Sequence, residues 1–338
     1  MHRKKVALIG WYGKGAHGDD IMEIATKRLF ERVAEDKDLL IDWVDEKEAD
    51  LVVVGGGTIL GFDTMGLYGR LKDISVPLVF FGSGVRKKDG KVGFMDRRHI
   101  KYLFRKAALK GVRGELSRGF FQDMGIKDVE VLGDPALSFI PRDVNSLPGD
   151  FKVGVSIRCM GKTGEKQYAD NETNADNIAL ICEWLAREYG ARLFFFDLAR
   201  NIHDSDREGI DMVMGRMRRL KDHTVIPFET DTPEIFSLLG QMDYIVSQRL
   251  HPTILGWAQG VPHAAMEYQF GKTEDFMRTI GMGDLVVRTD KFDLEEYKKM
   301  ARMIFNERKK LEEDSARRIE ELRAKQVLFA EKCLSLKV

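Results

Sequence analysis

Short apolar runs alternate with helical stretches through the first part of the chain. Val6–Ile9, Leu39–Val44, Leu51–Val54, Pro77–Phe81, Gly111–Arg113 and Val129–Leu132 read as strands. Between them, Asp19–Ala34 places Ile21, Ile24, Ala25 and Leu29 at a helical period with charges between. Met95–Leu109 and Glu115–Met124 also read as helices. Continuous apolar strands alternating with helices predict a parallel sheet covered on both faces. Pro141–Asp150 is rich in Asn, Ser, Pro and Gly, lacks a period, and is the expected domain boundary. The plan then restarts. Strands are expected at Val153–Ile157, Arg192–Phe196, Thr224–Pro227, Tyr244–Ser247 and His263–Met266. Helices are expected at Asn174–Tyr189, Asp206–Leu220, Thr232–Gln241 and Pro252–Gln259. From Phe292 onward there is no Gly or Pro, and Tyr297, Met300, Ile304, Leu311, Ile319, Leu322 and Phe329 approximate a helical stripe. The expectation is two α/β domains, residues 1–145 and 150–290, with a helical brace over 291–338. A coiled-coil dimer seam is the other reading of the tail, disfavoured because Ser315 and Gln326 interrupt it.

A length of 338 residues agrees with two domains, at roughly 150 residues each. Fifty-four basic against 54 acidic residues give a formal net charge of zero. That balance speaks against a nucleic-acid coat or a polybasic membrane binder and leaves room for local patches. No apolar run reaches the ~18 residues of a membrane span. The run Val6–Ile9 is too short for a signal peptide, so a cytoplasmic protein is expected. Three scattered cysteines without a CxxC argue against a disulfide framework or a structural zinc site, and no HExxH occurs. Neither a metal nor a cofactor is expected.

In such sheets ligands gather at the carboxyl ends of strands. Gly13, Gly15 and Gly18 satisfy G-x-G-x-x-G, but the strand already ends at Gly10, and Asp19 and Asp20 put negative charge where a pyrophosphate would rest. Nicotinamide binding is therefore disfavoured. Lys14 is followed by Gly15, which excludes a Walker loop. Two readings stay open for this stretch: a flexible loop with Asp19 capping a helix, and a mobile loop bordering a cleft. Gly55-Gly56-Gly57-Thr58 either offers backbone amides to a ligand or makes a tight turn packed against the other domain. Gly82-Ser83-Gly84 with Arg86 repeats the theme. The sharpest run is Ser247-Gln248-Arg249-Leu250-His251-Pro252. Pro252 suits the first position of a helix, which would place Arg249 and His251 beside amides that attract anions. The alternative is a capping histidine and a surface arginine. Arg158 ends the strand Val153–Ile157 and either joins this group or pairs with an acid such as Glu165. Lys272 follows the last strand and either joins it too or is solvated.

With these residues in hand, the chain resembles the polysaccharide pyruvyl transferase family from about residue 6 to about residue 278. Gly18-Asp19-Asp20 looks like the end of that family's glycine-rich start, and Asp50–Gly57 looks like its triple-glycine strand end. Val112-Arg113…Ser117 and Gly133-Asp134-Pro135-Ala136 match its middle motifs. Ser247–His251, Gly260-Val261-Pro262 and Tyr268…Lys272 match its most diagnostic run. His17, Asp20 and Gly114 depart from the family's usual Asn, Glu and Asp, and all three lie in the half expected to hold the acceptor. The resemblance implies a GT-B-like fold, two Rossmann-like domains facing across a cleft. It implies phosphoenolpyruvate as donor and a glycan or lipid-linked sugar as acceptor, with vicinal or 4,6-type hydroxyls closing into a pyruvate ketal of a cell-surface polysaccharide. By resemblance Arg158 and Arg249 bind the donor and His251 is the acid. Lys272, Tyr268, Gly55, Gly56, Gly57, Thr58, Arg86, Asp19 and His17 would contact substrate. No nucleic-acid partner is expected; a homo-oligomer through the C-terminal helices and proximity to a membrane stay open. The competing readings are a GT-B glycosyltransferase using a nucleotide-sugar, with Glu267 as candidate ribose clamp, and a non-catalytic assembly or binding protein of the same fold. The latter predicts Arg249 and His251 tied up in structural contacts.

Overall fold

A computed structural model describes residues 2–61, 63–85, 92–161, 167–201, 204–217, 223–269 and 271–337. Arg86 and Glu165 lie outside the described residues. The chain forms two compact units. The first holds residues 1–13, 19–140 and 319–338, and the second holds 14–18 and 141–318. The tail is thus divided at Arg318 and does not form a body of its own.

In the first unit, β1 (His2–Ile9), β2 (Leu39–Trp43), β3 (Leu51–Gly55), β4 (Leu78–Ser83), β5 (Leu109–Val112) and β6 (Glu130–Val131) form one sheet in the order β2-β1-β3-β4-β5-β6. All its pairings are parallel. The connections are α1 (His17–Glu35), α2 (Thr64–Leu71), α3 (Phe94–Lys106) and α4 (Glu115–Asp123). Every residue of β3 and β4 is buried, which is why both read as unbroken apolar runs rather than alternating ones. The order changes direction between β1 and β3, so the crevice of this sheet opens at Gly10 and at Gly55–Gly57.

The second unit repeats the plan with β7 (Lys152–Ser156), β8 (Arg192–Phe196), β9 (His223–Ile226), β10 (Tyr244–Ser247), β11 (Ala265–Glu267) and β12 (Val286–Arg288). They are joined by α5 (Asn171–Tyr189), α6 (Asp206–Arg216), α7 (Thr232–Leu239), α8 (Leu250–Ala258) and α9 (Lys272–Thr279). The order is β12-β11-β10-β7-β8-β9, again all parallel. Counted from β7, this is the 3-2-1-4-5-6 order of doubly wound dinucleotide-type sheets. Its switch point falls between β7 and β10, the two strands that lead into Arg158 and Arg249.

Two helices close the chain, α10 (Leu294–Asn306) and α11 (Arg308–Leu334). In the first unit Phe329, Ala330 and Cys333 of α11 join the core formed by Phe30, Leu51 and Phe81. Ser315 and Gln326, which break the apolar stripe, are both buried. Gln326 Nε2 donates to the carbonyls of Leu132 (3.0 Å) and Asp134 (2.8 Å), and its Oε1 accepts from the Ser138 hydroxyl. Gln326→Leu would remove the donor to the buried Leu132 carbonyl and the acceptor of the Ser138 hydroxyl, while the Asp134 carbonyl keeps the Leu137 N–H (3.0 Å), and we expect a loss of about 1–3 kcal/mol in urea unfolding. Among the described residues no helix is long and apolar enough to cross a membrane.

Candidate functional site

The carboxyl edge of the second sheet gathers the predicted residues. β7 runs into Arg158, whose backbone N–H donates to Gln248 Oε1 (3.2 Å). The Gln248 N–H in turn donates to Ser156 O (3.0 Å), so β7 and β10 stay stitched together past their last paired residues. Arg158 donates from Nε to Asp204 Oδ1 (2.8 Å) and from Nη1 to the Tyr268 hydroxyl (2.9 Å) and Gln269 Oε1 (3.0 Å). Its guanidinium also lies 5.1 Å from the Tyr268 ring centroid, within cation–π range. Lys272, the first residue of α9, donates to the same Gln269 oxygen (3.1 Å). Arg158 and Lys272, far apart in sequence, therefore meet at one amide oxygen, with the Tyr268 hydroxyl held by the same Arg158 nitrogen.

Arg249 is not a surface residue. It is largely buried and grips Asp206 with Nε and Nη2, while Asp204 Oδ2 lies 3.5 Å from its Nη2. It precedes α8 as N-cap, and no side chain caps that helix. His251 is the second residue of α8 and Pro252 the third, two places later than the sequence suggested. Proline fits there for the same reason it fits at the first position, because the first turn's amides have no intrahelical partner.

Asp204 and Asp206 were not foreseen. Ser205 caps α6, its hydroxyl accepting from the Glu208 N–H (3.5 Å) while its own N–H donates to Cys159 O (3.2 Å), and a serine before Asp206-Arg207-Glu208 is a helix start that was readable in the sequence. The carboxylates on either side of that serine point at the arginines. The expected cationic pocket is thus a compensated cluster: Arg158, Arg249 and Lys272 against Asp204 and Asp206. Burial raises the Asp204 pKa, but the charges of Arg249 and Arg158 outweigh it and the net shift is downward. Asp206 is fully buried, and its carboxyl is pushed up to about 6 against the pull of Arg249.

Glu267, the candidate ribose clamp, is committed elsewhere. Its carboxylate accepts from the backbone N–H groups of Gln269 (2.9 Å), Thr273 (2.8 Å) and Glu274 (2.9 Å), closing the start of α9. Burial pushes it up to about 7 despite these bonds.

The loop at residues 14–18 belongs to the second unit and is well tied there. Ala16 bridges Ala199, and the His17 N–H donates to Leu198 O (3.0 Å). His17 Nδ1 lies 2.7 Å from the Thr232 hydroxyl and Nε2 2.8 Å from Phe228 O. Both ring nitrogens are occupied, so a substrate contact by His17 would have to break one of these bonds. Gly18 lies against His251: a Cβ there would sit 2.2 Å from His251 Nδ1. Gly18→Ala must displace the imidazole, and were His251 to act on a substrate, a displacement of ~1 Å would cost about 100-fold in rate. We expect a loss of that order in turnover with the thermal unfolding midpoint little changed.

In the first unit the triple glycine is a tight turn rather than an amide cradle. Gly56 N–H donates to Phe81 O (3.0 Å), and Gly57 N–H points at Met22 Sδ (3.2 Å). Gly56 and Gly57 have φ of 64° and 65°, and a Cβ on Gly56 would meet Met22 Sδ at 2.6 Å, so glycine is required. The turn packs on α1 of its own unit through Met22. Asp19 Oδ1 lies 3.9 Å from where a Gly57 Cβ would stand, and half-buried Thr58 follows.

The model of the polysaccharide pyruvyl transferase family matches residues 16–269. The chain belongs to that family. No curated protein matches it. Among solved structures it is similar to a UDP complex of S. aureus MnaA, at 12% identity and a TM-score of 0.57 over 94% of this chain and 91% of that one. A putative UDP-N-acetylglucosamine 2-epimerase from Listeria monocytogenes aligns at 12% identity and a TM-score of 0.58 over the same shares of each chain, 94% and 91%. The Neisseria meningitidis UDP-GlcNAc 2-epimerase bound to UDP-GlcNAc aligns at 11% identity and 0.55, over 97% and 100%. At such identities these likenesses establish the fold, which is GT-B-like. The family match makes the protein a transferase of the polysaccharide pyruvyl type. It covers Arg158, Arg249, His251 and Tyr268 and stops three residues before Lys272.

Proposed function

We propose that this pyruvyl transferase takes its pyruvyl group from phosphoenolpyruvate and delivers it to two hydroxyls of a cell-surface glycan precursor as a cyclic ketal. The observation that carries this reading is the convergence of Arg158, Arg249 and Lys272 at the switch point of the second sheet, beside the uncapped start of α8. Phosphoenolpyruvate carries a phosphate and a carboxylate, and a guanidinium can hold either with two parallel bonds. The amides at a helix start add to that attraction.

His251 would give a proton to the donor's methylene carbon, leaving C2 electrophilic. One acceptor hydroxyl then attacks C2 and loses its proton. The C2–O bond to phosphate breaks, phosphate departs with the bond pair, and the second hydroxyl closes the ring, its proton going to the departing phosphate while the first hydroxyl's proton restores His251. The products are the ketal and inorganic phosphate, and no cofactor enters the balance. The acceptor would lie at the rim of the first unit, where Asp19, Gly57 and Thr58 are neighbours. Its hydroxyl pattern, vicinal or 4,6-type, follows from which pair can reach the same C2.

The test is phosphate release from phosphoenolpyruvate in the presence of a panel of glycan precursors. Release that requires one acceptor class supports the reading; none with any acceptor, together with tight nucleotide-sugar binding, overturns it in favour of a glycosyltransferase. That alternative is weakened by Glu267, which is buried and whose two carboxylate oxygens already accept three backbone N–H bonds. A second reading, a non-catalytic assembly protein, draws on the Arg249–Asp206 pair, the structural contact it requires. It predicts that phosphoenolpyruvate binding does not depend on Arg249.

A further inference from the structure

The first unit carries an exposed surface that the reaction does not use. Helices α2 and α3 lie side by side. Tyr68 stacks on His99 at 4.2 Å, the Tyr102 hydroxyl donates to Lys72 O (3.2 Å), and Lys106 Nζ donates to Leu71 O (3.2 Å) and Lys72 O (2.7 Å). Contacts that advance together along both helices mean the two run in the same direction. Met65, one turn before Tyr68, is therefore level with Met95, one turn before His99. Both helices start just after strands of the first sheet, α2 after β3 and α3 after β4. Their N-terminal ends thus lie at the carboxyl edge, the edge that holds Gly55–Gly57.

At this end large apolar side chains face outward: Phe94 is 79% exposed, Met65 68% and Met95 53%. Tyr102, 45% exposed, continues the patch along α3. The core side of α3 is Ile100, Leu103 and Phe104. At ~100° per residue, positions 94, 95, 98, 101, 102 and 105 fall on the opposite side. That outward face therefore mixes Phe94, Met95 and Tyr102 with Arg98, Lys101 and Arg105. Helix α3 has five basic residues against one acidic, Asp96, in a chain whose net charge is zero. Of the five, Arg97 lies over the Phe120 ring and Lys106 serves the end of α2. Arg98, Lys101 and Arg105 make no ion pair among the described residues.

We infer that the α2–α3 face docks on an anionic lipid bilayer, with Phe94, Met95 and Met65 entering the headgroup boundary and Arg98, Lys101 and Arg105 meeting lipid phosphates. Charge complementarity selects this occupant. A helix face combining aromatic and methionine side chains with Arg and Lys fits the interface plane of a membrane, where long cationic side chains reach back to the headgroups. Docking here would bring the carboxyl edge of the first sheet close to the lipid surface.

The test is flotation of the full chain with vesicles of phosphatidylcholine, alone or mixed with phosphatidylglycerol, at low and high salt. Binding is expected only with the anionic lipid and should weaken with salt. Phe94→Ser with Met95→Ser, and separately Arg98→Glu with Arg105→Glu, should each weaken it by more than about tenfold. All four side chains are outward-facing, so the thermal unfolding midpoint should stay at the wild-type value in both variants. No anionic preference, or binding that neither pair alters, overturns the inference. So does a wild-type dimer that Phe94→Ser with Met95→Ser converts to monomer without any vesicle binding, because the face then meets a second copy. Flotation reads no catalytic step, so this result stands or falls independently of the donor and acceptor.

Discussion

His251→Ala is expected to lower acceptor-dependent phosphate release by about 100- to 10,000-fold, the span a positioned general acid contributes. Phosphoenolpyruvate binding, read by calorimetry, should stay within about threefold of wild type, because the two arginines and Lys272 remain. The expectation rests on place. His251 is the second residue of α8, two after the Arg249 cap, and its ring lies against Gly18. An imidazole there is one residue's reach from whatever the helix start binds. Unaltered turnover would remove His251 from the chemistry, and a loss of binding equal to the loss of turnover would make it a donor ligand instead. Gly18→Ala is the companion measurement, since it moves the same ring without deleting it.

The parts of this molecule that were legible in the sequence are those fixed by local pattern. Unbroken apolar runs such as Leu51–Val54 could only be strands buried on both faces, and glycine-rich stops after them marked the carboxyl edge of the sheet. What escaped was either short or non-local. Helix α2 has only eight residues and carries Gly66 and Gly69, so its period was too weak to register. Strand β12 has three half-buried or exposed residues and owes its place to pairing with β11. In the site, the cations were visible because a strand end or a helix start announces them. Their counter-ions were not, because Asp204 and Asp206 stand more than 40 residues from both arginines and precede an ordinary helix. The triple glycine shows the converse. Its composition left amides offered to a ligand and a tight turn equally open, and its positive φ angles and the Met22 side chain make it a turn. Gln326 misled in the same way: as a polar residue in an apolar stripe it looked like a break, and it is a buried hydrogen-bonding hub.

Arg249→Ala should remove measurable phosphoenolpyruvate binding, and it should also cost stability. The Asp206 carboxylate is fully buried, with Arg249 as its charged partner. Deleting one partner of such a pair typically costs about 3–5 kcal/mol, because a buried charge is left uncompensated. Adding Asp206→Asn should recover most of that loss, since an amide oxygen can still accept the Leu198 N–H, yet it should not restore donor binding. That split separates a binding arginine from a structural one: a double variant that is stable and still binds phosphoenolpyruvate would hand the protein to the non-catalytic reading. The same pair makes a pH prediction. Asp206 titrates near 6 in the folded chain against 3.8 for an ordinary aspartate, so folding favours its protonated form. Its contribution to stability is therefore fullest below about 3.8 and is lost as pH rises through about 6. At pH 7 the group is ionised and held by Arg249. A phosphate that takes over the guanidinium leaves Asp206 buried without its counter-ion, and its pKa must climb further. Donor binding at pH 7 is thus expected to take up as much as one proton, measured by calorimetry in buffers of different ionisation enthalpy. Asp206→Asn should abolish that uptake. Proton-neutral binding in the wild type would mean that the donor is held without displacing Asp206, and that Arg158 and Lys272 carry its charge.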